Sequence, residues 1–295
     1  MMRNFVFITD LHLGAGAGVR TGDVYLDLCG KVKEVVSYAN EHDATILIAG
    51  DVFHRPTIAD FYKTPFLKLF AEAKYKPVTI RGNHDELYRS RDNDCKTSYN
   101  LACQLGIFTS LDGRLIEFDD FVITNDHQIK TFGKPQIGMF HGFLNAKDGG
   151  YEFMLDELTA TEDPMIILLG HDHVPYEPLQ VGNKVVLRPG SLLRSTRTQE
   201  HNRTPVLVHI VINNGEIKYK EVPLRTARDY KEIFKEKQTA VSASEIDDQY
   251  AAVIERIKEI KGKDETLSSV LDKVCSFDTK MYILECLTEF NKNLK

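Results

Sequence analysis

Five short apolar segments within residues 1–173 each end in side chains of the kinds that bind metal ions. The segments are Asn4–Thr9, Ala44–Ala49, Pro77–Ile80, Gln136–Phe140 and Met165–Leu169. Each has the length and the residue types of a buried β-strand. The side chains that follow them, in the same order, are Asp10 and His12, Asp51 and His54, Asn83-His84-Asp85, His141, and His171-Asp172-His173. Most of the ten histidines lie in these groups, which core packing does not explain.

The segments between these predicted strands have helical spacing. The expected helices cover about residues 23–40, 57–74, 97–105 and 151–160. Strands that alternate with helices indicate an α/β fold with parallel or mixed sheets. Ligands of such sheets bind at the carboxyl ends of the strands, so the polar groups are expected to converge at one edge.

Two hairpins are expected in the later part of the chain, which adds antiparallel pairs to the sheets. Val206–Ile212 and Glu216–Val222 flank an Asn-Asn-Gly turn, which is typical of tight hairpin connections. A second hairpin is predicted from Arg114–Phe118 and Phe121–Thr124. The sequence therefore predicts a mixed α/β domain rather than a purely parallel sheet.

Composition excludes several classes of protein. The chain is 42% hydrophobic and 27% charged, which is typical of a globular protein. No apolar run approaches the ~20 residues needed to cross a bilayer, and the N-terminal segment lacks the pattern of a signal peptide. We therefore expect a cytoplasmic protein. The five cysteines form no Cys-x-x-Cys pair, which argues against a disulfide framework and a thiolate zinc site.

The composition changes after Pro223. No proline and only one glycine, Gly262, lie beyond it. The apolar residues of this region follow helical spacing, as in the stripe Ile246, Tyr250, Val253, Ile254, Ile257 and Ile260. We expect a catalytic domain over residues 1–225 and a helical region over 226–295. This region either packs on the core or docks a partner.

The five groups together resemble the signature of the calcineurin-like metallophosphoesterases. That signature runs Asp-x-His, Gly-Asp, Gly-Asn-His-Asp/Glu, His and Gly-His-x-His, and all five blocks occur here. The fuller spellings Asp-Leu-His-Leu-Gly and Gly-Asp-Val-Phe-His, with Pro189-Gly190-Ser191, are similar to the SbcD-type nuclease subunit of double-strand-break repair complexes. The resemblance implies a four-layer α/β/β/α sandwich followed by the helical tail.

The resemblance also implies two divalent metal ions. The first would be bound by Asp10, His12 and His173, and the second by Asn83, His141 and His171. Asp51 would bridge the two ions. Paired ions of this kind activate a nucleophile and neutralise charge on the phosphoryl group. The mixed oxygen and nitrogen ligands suit Mn, Fe or Zn, and Mn²⁺ is expected because the related nucleases favour it.

The resemblance further implies that three residues act in the reaction without binding metal. His84 would stabilise the transition state or protonate the leaving oxygen. Asp85 would orient His84. His54 would contact the substrate or orient a neighbouring side chain, and the sequence leaves both roles open.

A basic stretch follows the last block. Although the net charge of −6 excludes binding to nucleic acid by bulk charge alone, residues 184–225 contain more basic than acidic residues. Its arginines either contact a phosphate backbone or lie on a solvated loop, and the predicted DNA contacts are Arg188, Arg194, Arg197 and Arg203.

The sequence thus predicts an Mn²⁺-dependent DNA exonuclease or endonuclease of an SbcCD-like recombination and repair complex. The expected partners are DNA, an SbcC-like ABC-type ATPase and a second copy of the chain, with no membrane contact. Two alternatives remain. One is a small-molecule phosphodiesterase or phosphatase of the same superfamily, and the other is a scaffold that has lost catalysis. The filled ligand positions argue against the scaffold.

Overall fold

The structure is a computed structural model of the 295-residue chain. It describes residues 2–16, 18, 20–87, 91–126, 134–144, 152–153, 165–195, 203–214 and 216–234. The chain divides into two compact units, and all the described residues belong to the first, Met1–Lys235. The predicted stripe that starts at Ile246 lies outside the described residues.

The described helices are few. They are α1 (Val24–Glu41), α2 (Asp60–Ala71), α3 (Ser98–Gln104) and the single turn α4 (Tyr230–Ile233). Asp23 begins α1, because its carboxylate accepts hydrogen bonds from the amides of Tyr25 and Leu26. Thr97 caps α3 in the same way by accepting from the amide of Asn100.

Fourteen described strands build the sheets. They are β1 (Met2–Ile8), β2 (Ala44–Ala49), β3 (Val78–Ile80), β4 (Thr109–Ser110), β5 (Leu115–Glu117), β6 (Val122–Thr124), β7 (Gln136–His141), β8 (Phe143–Leu144), β9 (Glu152–Phe153), β10 (Met165–Gly170), β11 (Tyr176–Val181), β12 (Lys184–Arg188), β13 (Val206–Asn213) and β14 (Glu216–Pro223). All five predicted strands and both predicted hairpins are present.

The strands form two six-stranded mixed sheets and one small pair. The first sheet has the order β14-β13-β1-β2-β3-β4, and the second has the order β11-β12-β10-β7-β6-β5. β1, β2 and β3 run parallel, with Phe7 opposite Leu47 and Leu47 opposite Val78. β7 and β10 are also parallel, so that His141 lies opposite Gly170 where both strands end.

The side chains of the two sheets pack into layers. Val6, Ile8, Ile46 and Ile48 face α1, α2 and α3 on one side of the first sheet. Alternate residues such as Phe5, Phe7 and Leu47 face the second sheet and contact Ile137, Met139, Ile166 and Leu168. This alternation is the period-two pattern of a strand buried on both faces. The α/β sandwich fold class is confirmed.

Two expectations at the edges of the domain need comment. The predicted helix at 151–160 is wrong at its start, because Glu152–Phe153 is strand β9, paired with β8; residues 154–160 lie outside the described part. Residues 226–234, grouped with the tail from composition, pack against the core, where Ile233 and Phe234 are buried.

Within the described ranges, no helix combines the length and apolarity needed to cross a membrane.

Candidate metal centre and active site

The structure brings the seven predicted ligand residues together at the carboxyl ends of the central strands. The side chain of Asp51 lies between two groups of them. Its Oδ2 atom is 3.5 Å from Nε2 of His12 and 3.4 Å from Nε2 of His141. One carboxylate oxygen therefore contacts both groups, as a bridging ligand must.

The first group contains Asp10, His12 and His173. The Nε2 atoms of the two histidines are 2.8 Å apart, and each is 3.8 Å from Oδ1 of Asp10. Asp10 is fully buried and accepts hydrogen bonds from the hydroxyl of Thr9 at 2.8 Å and from the amide of His171 at 3.1 Å. These contacts fix the carboxylate in the orientation that faces the two ring nitrogens.

The second group contains Asn83, His141 and His171. Oδ1 of Asn83 lies 3.0 Å from Nε2 of His141 and 2.9 Å from Nδ1 of His171. His141 donates from Nδ1 to the carbonyl oxygen of Ala49 at 2.7 Å, so a cation that displaces the second ring proton would meet a lone pair on Nε2. That lone pair faces the oxygens of Asn83 and Asp51, which are acceptors as well. A cation placed among these acceptors would satisfy all of them.

The backbone turns sharply at these positions. Asp10, His12 and Asp51 have φ angles of 53°, 48° and 50°, in the left-handed region that few residues other than glycine adopt. Space is also tight, because a Cβ atom at Gly82 would lie 2.1 Å from Oδ1 of Asp51. Strain of this kind is held only where the surrounding structure enforces it, and it clusters at functional sites.

The charges fit a bound cation. Burial favours a raised pKa for Asp51, but the neighbouring His141 and His12 outweigh burial and hold its pKa well below the ordinary range. Burial lowers the pKa of His141, whereas the Asp51 carboxylate raises it, with a net rise to about 9. The Asp51 carboxylate therefore stays ionised between these histidines. The donor set of carboxylate, carboxamide and imidazole suits a divalent transition metal in that place.

Two further histidines lie against the first group. His84 donates from Nδ1 to the carbonyl oxygen of His54 at 2.9 Å, which leaves its Nε2 free to act on a substrate. The ring of His54 stacks on that of His84 with centroids 5.1 Å apart, and its Nδ1 is 3.3 Å from Nδ1 of His12. Burial and then the neighbouring His84 lower the pKa of His54 to about 4, so its ring is neutral. Of the two roles predicted for His54, this geometry favours orientation of its neighbours.

Asp85 does not have the predicted partner. Its carboxylate accepts hydrogen bonds from the amides of Phe53 at 2.9 Å and Gly82 at 3.0 Å, and no described contact joins it to His84. The reason is local, because Asn83–Asp85 is one 3₁₀ turn, in which successive side chains point about 120° apart. Asp85 therefore fixes the loop after Asp51 to the loop that contains Asn83.

The arginines of the basic stretch do not all lie on the surface, as the predicted DNA contacts would require. Arg194 is only 2% exposed and donates to the carbonyl oxygens of Arg203 and Arg228, so it is not a surface contact for DNA. Arg203 is partly buried, and burial lowers its pKa to about 10. Arg188 lies over the ring of Tyr176 at 3.9 Å, and Arg197 lies outside the described residues. Arg194 thus stabilises loops, because its guanidinium group satisfies two backbone carbonyls in a buried place.

Replacing Arg194 by alanine is expected to lower the free energy of unfolding by about 3 kcal/mol, because two carbonyl oxygens lose a charged donor in a buried place. Urea denaturation followed by circular dichroism would measure the change. The matched control is Arg114→Ala on an exposed turn, which should alter stability by less than about 0.5 kcal/mol. Equal effects of the two substitutions would contradict the assigned role of Arg194.

Sequence reasoning missed a buried ionic network beneath the site. Lys31 on α1 donates to Asp27 at 2.8 Å and to the carbonyl oxygen of Leu192 at 3.2 Å. Arg20 contacts Asp27 and the carbonyl of Leu193. The network holds the segment after Pro189-Gly190, where Ser191 donates its amide to the carbonyl of His173. The sequence feature that could have revealed this network is the pair Asp27 and Lys31, which lie four residues apart on the apolar face of a predicted helix.

The stability of this network is expected to depend on pH. Burial lowers the pKa of Lys31 from 10.5 to about 8, although Asp27 opposes the shift. Since the folded state binds this proton more weakly than the unfolded state, the contribution of Lys31 to stability is present above pH 10.5 and is lost as the pH falls through 8. Between pH 8 and pH 10.5, the unfolding free energy of the wild type should rise by on the order of 3 kcal/mol more than that of Lys31→Met. A constant difference in denaturant titrations across this range would contradict the assignment.

The match to known sequences agrees with this geometry. The family model for calcineurin-like phosphoesterases matches residues 3–209, so the chain belongs to that metal-dependent family of phosphoester hydrolases. The matched range includes every residue of the two ligand groups. No curated protein sequence matches the chain.

Solved structures show similar folds. A predicted phosphoesterase from Streptococcus pneumoniae is 17% identical, with 80% of this chain and 97% of that chain covered and a TM-score of 0.38. A 5'-nucleotidase precursor from Thermus thermophilus is 12% identical, with 78% of this chain and 56% of that chain covered and a TM-score of 0.44. At these values the likeness carries no information on substrate.

Proposed function

We propose that the chain is an Mn²⁺-dependent phosphodiesterase that cleaves DNA with two metal ions. The observation that carries the proposal is the position of Asp51, one buried carboxylate between two ligand groups, with the ring of His84 centred 4.9 Å from that of His12. When bound, the two ions supply Lewis-acid stabilisation of the phosphoryl oxygens and a water of lowered pKa.

The residues of the chain have separate tasks in this scheme. Asp10, His12 and His173 would hold one ion, and Asn83, His141 and His171 the other. His84 donates or accepts a proton at the phosphoryl group from Nε2, because its Nδ1 is held by the carbonyl of His54. His54 orients His12 through the contact between their Nδ1 atoms, which leaves Nε2 of His12 to face the metal centre.

DNA is proposed as the substrate on two grounds. The first is the spelling of the motifs, in particular Gly-Asp-Val-Phe-His, which resembles the SbcD-type nucleases. The second is Arg55, an exposed cation directly after His54 and therefore next to the site. An exposed arginine in that position suits a contact with a neighbouring phosphate of a nucleic-acid chain.

The test is hydrolysis of end-labelled DNA in the presence of Mn²⁺, compared with a chromogenic phosphodiester and a chromogenic phosphomonoester. We expect cleavage of DNA and of the diester, and loss of both in Asp51→Asn. Hydrolysis of the monoester with no cleavage of DNA would favour the alternative function, a small-molecule phosphatase of the same family.

The partners follow from the same proposal. We propose that the C-terminal region after the core, which the sequence predicts to be helical, docks an SbcC-like ABC-type ATPase. A chain that ends at Lys235 is the appropriate truncation, because it retains the buried Ile233 and Phe234. It should keep diesterase activity and fail to co-purify with the ATPase. Co-purification at the yield of the full chain would reject the docking role.

A further inference from the structure

We infer that a cavity next to the first ligand group binds the base of a nucleotide whose phosphate lies at the metal centre. The inference rests on the proposed phosphodiesterase function and extends it to a base-binding subsite. The cavity has a volume of about 380 Å³, within the range of small-molecule sites. Among its lining residues are His12, Gly14, Asp23, Tyr25, Leu28 and Tyr62.

The position of His12 connects the cavity to the reaction. Its Nε2 atom faces Asp51 and His173, and the same residue forms part of the cavity wall. A phosphate held at the metal centre therefore has its ester substituents beside the opening. Gly14, Ala15 and Gly16 form another part of the wall. Gly14 has a φ of 91° and a Cβ atom there would lie 2.5 Å from Cδ1 of Ile58, so this part of the wall requires glycine.

Aromatic rings provide the surface for a base. Tyr25 on α1 and Tyr62 on α2 are in edge contact with centroids 5.2 Å apart, and Phe61 continues the row at 5.2 Å from Tyr62. Tyr62 is 44% exposed and Phe61 is 80% exposed. Tyr25 and Tyr62 line the cavity, and Phe61 extends the aromatic surface outside it. Such rings match the stacking surfaces with which proteins hold unpaired bases.

The charge of the cavity sets the orientation of the ligand. The Asp23 carboxylate uses Oδ1 to accept from the amides of Tyr25 and Leu26 at 2.9 and 3.0 Å. Its negative charge repels a phosphate and attracts an amino group. The phosphate is thus directed to the cations and the base to the rings, and bases that carry an exocyclic amino group are favoured.

The experiment uses the full chain with Mn²⁺ and 2-aminopurine deoxynucleotide 5'-monophosphate, whose fluorescence is quenched when the base stacks. Deoxyribose 5-phosphate serves as the ligand without a base. We expect the wild type to quench the fluorescence and to bind the nucleotide at least about tenfold more tightly than the sugar phosphate. Tyr62→Ala should lose that preference, and Tyr62→Phe should retain it because the ring remains.

Tyr75→Ala is the matched control, since Tyr75 is 41% exposed and does not line the cavity. It should bind like the wild type. Unchanged nucleotide affinity and quenching in Tyr62→Ala would overturn the subsite and make these rings a protein-contact surface instead. Equal binding of both ligands by the wild type would also overturn it, while the metal centre and the proposed function would stand. If neither ligand binds and DNA is not cleaved, the proposed function fails together with the subsite.

Discussion

Asp51→Asn is expected to reduce kcat/KM for a phosphodiester by at least about 10³-fold, which corresponds to about 4 kcal/mol of transition-state stabilisation. Asparagine has the same size and its oxygen can still accept from the amide of His84, which now donates to Oδ1 of Asp51 at 3.0 Å. What is lost is the charge that faces both His12 and His141. One substitution therefore affects both ligand groups.

The measurement is steady-state hydrolysis with Mn²⁺, together with metal analysis of the purified variant. Asp119→Asn in the exposed turn between β5 and β6 is the control and should retain full activity. Asp51→Asn with near-wild-type turnover and two bound ions would show that the centre is not built around this carboxylate.

His84→Ala should have the second-largest effect, a loss of roughly 10²- to 10⁴-fold in kcat, because a proton donor positioned at the phosphoryl group is removed. Metal content should stay at two ions per chain, since His84 lies outside the two ligand groups that share Asp51. His42→Ala, at the end of α1, provides a control histidine whose Nδ1 bonds to the carbonyl of Tyr38, away from the centre. Reduced metal content in His84→Ala would make this histidine a ligand instead, and an unchanged kcat would remove it from the reaction.

The convergence of the candidate ligands could be predicted where adjacent residues carried the information. Asp10 with His12, and His171 with His173, each follow a strand within a few positions. Parallel strands then bring their carboxyl ends to one edge, so the convergence of these groups follows from the strand pattern. Gly50 and Gly82 directly precede Asp51 and Asn83 in the motifs. Because they lack a side chain, the Asp51 loop can approach His141 and the loop that contains Asn83 closely.

It failed where the direction of a side chain depends on distant parts of the chain. Asp85 was expected from the family resemblance to orient His84, but its carboxylate accepts from the amide of Phe53, 32 residues away. Arg194 was assigned to the surface because it belongs to a basic stretch. A positive φ of 54° at that residue and the carbonyls of Arg203 and Arg228 bring its side chain into the interior instead.

The sequence by itself determined the α/β class, the five strands, the two hairpins and the residue types of the metal centre, because these depend on periodicity and on spacing within a few residues. Tertiary structure alone decided which nitrogen of each histidine faces the centre, which arginines are buried, and that Tyr25 and Tyr62 meet beside His12. These features require contacts between α1, α2 and strand ends far apart in the chain. A contact of that kind depends on how the layers pack, and the order of residues along one segment does not specify it.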